Sequence, residues 1–252
     1  MEQRVEFNEE LIQRYDVAGP RYTSYPTAVQ FMEGFDAEAY RRHVAASNSE
    51  LIPKPLSLYV HLPFCKSLCY YCGCMKKVTR HTHQADHYLG LLDREIELQG
   101  ALFDHDREVV QLHFGGGTPT FHDDAQLKAL MEQLGRHFSL SRDDDREFSI
   151  EVDPRTVGAE RLEHLAAIGF NRISLGIQDI NPEVQKAVNR VQDTKATLEM
   201  IDASRRLGFN SVSVDLIYGL PGQTMSDWLS DLEQALHYRP EHLSCYILTF
   251  EP

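Results

Sequence analysis

The chain has 252 residues, 42% of them hydrophobic, and a formal net charge of −13. That length accommodates one barrel or two smaller domains around a sizeable core. The negative balance argues against a general nucleic-acid binder, while a local basic pocket for an anionic small molecule remains open. No apolar run is long enough to span a membrane, and the acidic start MEQRVEFNEE lacks the apolar segment of a secretory signal. Clustered thiols without such a signal predict a reducing, cytoplasmic setting.

A short helix is expected over Glu9–Tyr15, followed by GPRYTSYPT (Gly19 to Thr27), where two prolines and a glycine forbid regular helix. This arm either packs its tyrosines on the domain or offers an arginine and hydroxyls to substrate carboxylates. Asp36 is placed to cap a helix running to about Ala46. The first strand, Leu56–Leu62 (LSLYVHL), stops at Pro63.

Four of the five cysteines then fall in one ten-residue window, Cys65 to Cys74. Cys65, Cys69 and Cys72 form C-x3-C-x2-C, with Cys74 close behind. A disulfide framework is disfavoured, because these thiols are too crowded to bridge without strain. Structural zinc usually takes two separated ligand pairs, and no second pair follows. An iron–sulfur cluster fits best, since thiolates on one short loop can wrap a cubane, and three ligands leave one iron open. Cys245 reads as a core cysteine.

Helical spacing of Tyr88, Leu91, Leu92, Glu95, Leu98 and Leu102 predicts the next helix. Strand two, Val109–Phe114, runs into Gly115-Gly116-Gly117-Thr118, where glycines allow close backbone approach. The following helix carries Leu127, Leu130, Met131, Leu134 and Phe138 on one face. Strand three, Glu147–Val152, places Glu151 and Asp153 at its end. They are expected on different sides, one toward the mouth and one packing outward or capping a helix. Leu162, Leu165, Ala166 and Ile168 mark a helix ended by Gly169. Strand four, Arg172–Ile177, ends in Gln178-Asp179, and a helix spans about Thr194–Leu207. Strand five, Ser211–Ile217, contains Asp215 within an apolar run, a costly position unless paired or functional. The next helix, Met225–Tyr238, is expected to bury Trp228, Leu229, Leu232 and Leu236. Strand six is Leu243–Leu248.

Six strands alternating with helices predict a parallel α/β sheet. Six are too few for a closed eight-stranded barrel, so the fold class is α/β: a partial, open (β/α)6 parallel barrel with an N-terminal arm. Residues 1–50 form the arm and first helix, and 51–252 the barrel. The stop just after a strand suggests a fragment. Polar and glycine residues gather at equivalent strand ends, which converge on one mouth in such a fold.

C-x3-C-x2-C with aromatic Tyr71 before the third cysteine is similar to the hallmark of radical S-adenosylmethionine (SAM) enzymes. With GPRYTSYPT, SLYVHLPFCKSLCYYCGC, HFGGGTPT, SIEVDPR, GFNRISLGIQD, VNRVQD and DLIYGLPGQT, the chain resembles the oxygen-independent coproporphyrinogen III oxidases (dehydrogenases) along nearly its whole length. The resemblance implies a 4Fe–4S cluster on Cys65, Cys69 and Cys72, with SAM on the open iron. It implies contacts to that SAM from Tyr59, Gly116 and Glu151. A second SAM would meet Tyr71, Gly117, Thr118, Gln178, Arg190 and Asp215. The implied activity is an oxidoreductase step of porphyrin (haem) biosynthesis. Two propionates of coproporphyrinogen III are oxidatively decarboxylated to vinyl groups, giving protoporphyrinogen IX, without a side-chain nucleophile. A reduced flavodoxin-like electron donor, a monomeric state, no nucleic acid and no membrane partner are further implications, as is a C-terminal domain absent from this chain. The alternatives are a radical SAM haem chaperone, disfavoured by Gly73-Cys74 and the YTSYPT arm, and a radical SAM methyltransferase acting on haem.

Overall fold

The computed structural model describes residues 7–17 and 30–248. The arm from Gly19 to Thr27 and residues 249–252 fall outside them. Two compact units divide the chain, Met1–His43 and Val44–Pro252.

In the first unit, helix α1 covers Glu9–Tyr15, and the Asn8 side chain accepts from Leu11 N at 2.9 Å. Helix α2, Ala37–Asn48, is capped by Asp36, whose carboxylate accepts from Ala39 N at 2.8 Å. The division between the units falls within α2.

The second unit is built on strands β1 (Leu56–Leu62), β4 (Glu108–Gly116), β6 (Glu147–Val152), β7 (Arg172–Gln178), β8 (Ser211–Tyr218) and β9 (His242–Ile247). They pair in that order, every pair parallel, and among the described residues β1 and β9 do not meet. The sheet is therefore an open, partial barrel, as the alternation of strands and helices predicts. Short strand β5 (Ser139–Leu140) joins the edge of β4, and β2 (Phe64–Cys65) pairs β3 (Lys77–Val78) in a separate two-stranded sheet. These short pieces carry no periodicity a sequence pattern could reveal.

Period-two alternation divides the sheet into two faces. Leu62, Phe114, Ile150, Leu175 and Val214 point to the helix-covered side and are fully buried. Tyr59, His113, Ser149, Glu151, Ser174 and Asp215 occupy the other face in adjacent registers. The covering helices are α3 (His83–Gly100), α4 (Asp124–His137), α5 (Ala159–Ala167), α7 (Thr194–Arg206) and α8 (Met225–His237), and short α6 (Pro182–Ala187) lies between β7 and α7. Asp123 and Gln126 form a reciprocal capping box at the start of α4.

Three sequence expectations change. Helix α3 turns Ala85, Tyr88, Leu92 and Ile96 to the core, while Leu91 and Leu98 are exposed. Helix α8 packs Trp228, Leu232 and Ala235 with Asp231, and leaves Leu229 and Leu236 exposed. Its core stripe runs through a carboxylate, which a hydrophobic pattern rejects. Asp231 is tolerated because it hydrogen-bonds to Asp179; burial first, then the neighbouring Asp179 charge, pushes its pKa up to about 7. Cys245 is exposed, not a core residue, because β9 is a terminal strand of the sheet.

Beneath the cysteine loop, Phe64, Ala85 and Phe121 form a small separate core, with the His122 ring edge-on to Phe64 and Phe121. His122 is wholly buried, and among the described residues neither ring nitrogen makes a well-formed hydrogen bond, Gln126 being the polar side chain beside it. Burial lowers its pKa from 6.5 to about 4. The folded state thus disfavours the imidazolium. The stability this group contributes is complete above about pH 6.5 and is lost as pH falls through 4. Denaturant titrations are expected to show a loss on the order of 3 kcal/mol over that window. His122→Leu should remove that component, and an equally steep loss in the variant would assign the pH dependence to other groups.

Candidate active site

The sheet delivers its strand ends to a cavity of about 370 Å³ at the C-terminal edge of the strands. Eleven of the twelve sequence-derived site residues line it: Cys65, Cys69, Cys72, Tyr71, Gly116, Gly117, Thr118, Glu151, Gln178, Arg190 and Asp215. Tyr59 is not among the lining residues. It stands one register step down β1 from His61, is 59% exposed, hydrogen-bonds His61 Nδ1 at 3.0 Å and stacks on His113 at 5.7 Å. Side chains two apart on a strand share a face but differ in depth, and Tyr59 sits below the mouth.

The loop is locked to the strand ends by backbone. Gly117 N donates to Leu62 O at 2.9 Å, and Thr118 N donates to Phe64 O at 2.9 Å. The strand β4 extends through the first two glycines, pairing Gly115 with His61 and Gly116 with Leu62. Gly116 has φ of +116°, and a Cβ there would lie 2.7 Å from the His61 ring. Its N–H donates to Glu151 Oε2 at 3.2 Å, while Glu151 Oε1 lies 3.2 Å from His113 Nε2.

Glu151 and Asp153 both line the cavity, correcting the expectation that they separate. Residues two apart along a strand project to the same side. Asp153 also caps the turn Pro154–Thr156, accepting from Arg155 N at 3.0 Å. Burial works against its carboxylate, but Arg155 and Arg190 hold its pKa below the usual range.

Gln178 ends β7 with φ of +69°, a left-handed conformation costly for a side-chain-bearing residue, at an irregularity in the pairing with β8. That strain turns it into the cavity. Asp215 accepts from Ser174 Oγ at 2.8 Å, and burial raises its pKa. The Arg190 guanidinium is already engaged: Nη2 donates to Gly176 O at 2.6 Å, Nη1 to Asp153 at 3.3 Å, and Nε is buried without a hydrogen-bond partner among the described residues. Tyr71 packs beside Val184, Val188, Ile217 and Leu220, and burial raises the pKa of its hydroxyl.

The thiols differ in their neighbours. Cys65 Sγ lies 3.4 Å from Thr118 Oγ1, and burial raises its pKa. Cys72 is lowered to about 5, first by the thiol of Cys74, which keeps its own proton, and then by Lys76. Cys69 receives guanidinium N–H groups from Arg155 and Arg190, each 3.5 Å from sulfur. Sequence reasoning missed Arg155; its one signal was its place two residues beyond a strand end that carries Asp153.

Among the described residues, no three His, Cys, Asp or Glu side chains are arranged to hold a single metal ion. A cubane presents a different iron to each thiolate, so convergence on one point is not what this loop requires. Three soft sulfur donors opening on one cavity, with hydroxyl, lysine and guanidinium groups beside them, suit an iron–sulfur cluster.

A family model described as the radical SAM superfamily matches residues 59–235, more than half of the chain. The chain belongs to the radical SAM superfamily. It is 48% identical over 245 residues to an oxygen-independent coproporphyrinogen III oxidase of Salmonella typhimurium, covering 97% of this chain and 52% of that protein. A Pseudomonas aeruginosa protein of the same name is 45% identical over 242 residues, covering 96% of this chain and 52% of its own length. The solved structure of Escherichia coli coproporphyrinogen III oxidase, described as a radical SAM enzyme, superimposes with a TM-score of 0.87 at 45% identity, over 99% of this chain and 54% of that one. The chain spans about half the length of the curated relatives it matches. The open parallel sheet is thus the radical SAM fold, and iron–sulfur cluster and SAM binding follow from the superfamily. No helix among the described residues is long and apolar enough to cross a membrane.

Proposed function

We propose that this chain carries the radical SAM half of an oxygen-independent coproporphyrinogen III oxidase, which converts two propionates of coproporphyrinogen III to vinyl groups. The observation that carries this reading is the single cavity uniting the three-cysteine loop with Gly116, Glu151, Gln178 and Asp215, in a chain 48% identical to such an oxidase. Cys65, Cys69 and Cys72 would hold the 4Fe–4S cluster. When bound, the cluster supplies the electron that cleaves SAM reductively and starts the hydrogen abstraction.

The chain's own residues bind and orient. Glu151, fixed by His113 and by the Gly116 N–H, offers a carboxylate edge to a cationic group in the cavity. Gly116 and Gly117 line the cavity without side chains, which leaves room for the His61 ring and the Pro63 backbone packed against them. Thr118, Gln178 and Asp215 supply hydroxyl, amide and carboxylate partners. Arg190 and Tyr71 close the floor on the side of α6. These residues, with Tyr59 acting from below through the His113 stack, are the contacts assigned to SAM and to a second SAM. Coproporphyrinogen III as substrate and a small reduced flavodoxin-like protein as electron donor complete the proposal, for a monomeric cytoplasmic enzyme.

Anaerobic reconstitution with iron and sulfide, followed by SAM, reductant and coproporphyrinogen III, tests it. 5′-Deoxyadenosine and products lighter by one and two units of formic acid equivalents (CO2 and two hydrogens) are the expected mass signature. A methylated porphyrin would transfer the site to methyl transfer, and porphyrin binding without SAM cleavage would assign it to haem handling.

A further inference from the structure

We propose that Asp153, Arg155 and Arg190 form a buried charge clamp on the Cys69 sulfur, and that Arg155 is a positioning residue that sets the reduction potential of the cluster this sulfur holds. The proposal rests on the reading of Cys65, Cys69 and Cys72 as cluster ligands.

The clamp joins residues distant in sequence. Arg155 Nη2 and Arg190 Nη1 each stand 3.5 Å from Cys69 Sγ, at separations of 86 and 121 positions along the chain. The Asp153 carboxylate orients both. It accepts from Arg155 Nη2 at 2.6 Å and Nε at 3.0 and 3.1 Å, and from Arg190 Nη1 at 3.3 Å. The Asp153 and Arg190 side chains are each only 8% exposed, and that of Arg155 is 21% exposed.

Charge counting supplies the argument. Two guanidinium groups and one carboxylate leave a surplus of one positive charge on side chains that are mostly withdrawn from solvent. A buried charge without a counter-charge is costly. The group that both guanidinium N–H vectors reach besides Asp153 is the Cys69 sulfur, and a ligating cysteine is a thiolate. Cys69 thus completes the charge balance. Neither other ligand has a guanidinium pair held by a carboxylate. Cys65 has the neutral Thr118 hydroxyl, and Cys72 has the Cys74 thiol and the single ammonium of Lys76, which also donates to the Cys72 carbonyl at 2.6 Å.

Hydrogen bonds to cluster sulfurs and nearby net charge are levers on cluster potential. Reduction adds one electron to the cluster, and a fixed cation against one of its sulfurs favours that state. Removing Arg155 should therefore make the cluster harder to reduce, and removing the Asp153 anion should make it easier. Opposite shifts from two neighbours in one salt bridge are a signature that simple loosening of the fold does not produce.

The experiment compares the chain with its Arg155→Met, Arg155→Lys and Asp153→Asn variants after anaerobic reconstitution without SAM. Iron and sulfide are quantified, and the midpoint potential is read by titration monitored by electron paramagnetic resonance. The expected result is wild-type iron content, a more negative potential in Arg155→Met, partial recovery in Arg155→Lys and a less negative potential in Asp153→Asn. An unchanged potential in Arg155→Met, shifts of the same sign in Arg155→Met and Asp153→Asn, or loss of the cluster from both Arg155 variants overturns the clamp. Failure of the unmodified chain to take up a cluster instead overturns the ligand reading on which it rests.

Discussion

Cys65→Ser, Cys69→Ser and Cys72→Ser are each expected to yield protein without the brown 4Fe–4S absorption after anaerobic reconstitution, whereas Cys74→Ser keeps it. Cys65, Cys69 and Cys72 open on one cavity, and backbone bonds from Gly117 and Thr118 hold the start of their loop to the ends of β1 and β4. Each thiol also has its own polar support, from Thr118, from the two arginines and from Cys74 with Lys76. Cys74 is exposed, and its thiol is the donor that lowers Cys72. A serine hydroxyl can replace that donor. Three ligands leave an iron open for SAM, and a fourth thiolate would close it. The check is visible absorption together with iron per chain. Loss of the cluster from Cys74→Ser, with the other three unaffected, would reverse the assignment.

Gly117→Ala is the single small substitution expected to damage the site most. An added Cβ would lie 2.7 Å from both the carbonyl carbon and oxygen of Pro63 and 2.9 Å from the Phe64 carbonyl oxygen. These are backbone atoms, so no side chain can swing away. The segment that must move is the one leading into Cys65. Overpacking of this kind costs about 1–3 kcal/mol, and here the displacement falls on the bonds from Gly117 to Leu62 and from Thr118 to Phe64. The variant should melt earlier and take up little iron. Gly73→Ala is the control, because a Cβ at Gly73 meets nothing within 4 Å. It should stay within about 0.5 kcal/mol of the parent in denaturant titration. Equal iron uptake by Gly117→Ala and the parent would show that the loop is not pinned by this contact.

Much of the architecture is written in local pattern. A run such as LSLYVHL alternates or stays apolar because it must cover a helix layer, and its end at Pro63 is a backbone constraint. So the six principal strands lie within a residue or two of where the sequence puts them, and their alternation with helices suffices for a parallel sheet. The cysteine loop is equally local, since its ligand spacing lies within ten residues. Helix faces were less legible. In α3 and α8 several registers of the apolar residues compete, and the choice between Leu229 and Asp231 depends on Asp179, more than fifty positions earlier in the chain, as a partner. The same limit governs the site. That Glu151 and Asp153 share a side, that Tyr59 stands below the mouth and that Arg190 is already bound to Asp153 and Gly176 are outcomes of strand register and depth. Sequence determined which residue types stand at the strand ends, because those positions follow from periodicity. Only the tertiary structure decided which of them meet, because the contact of Arg155 and Arg190 on Cys69 spans 86 and 121 positions and arises where three separate strand-to-helix connections converge.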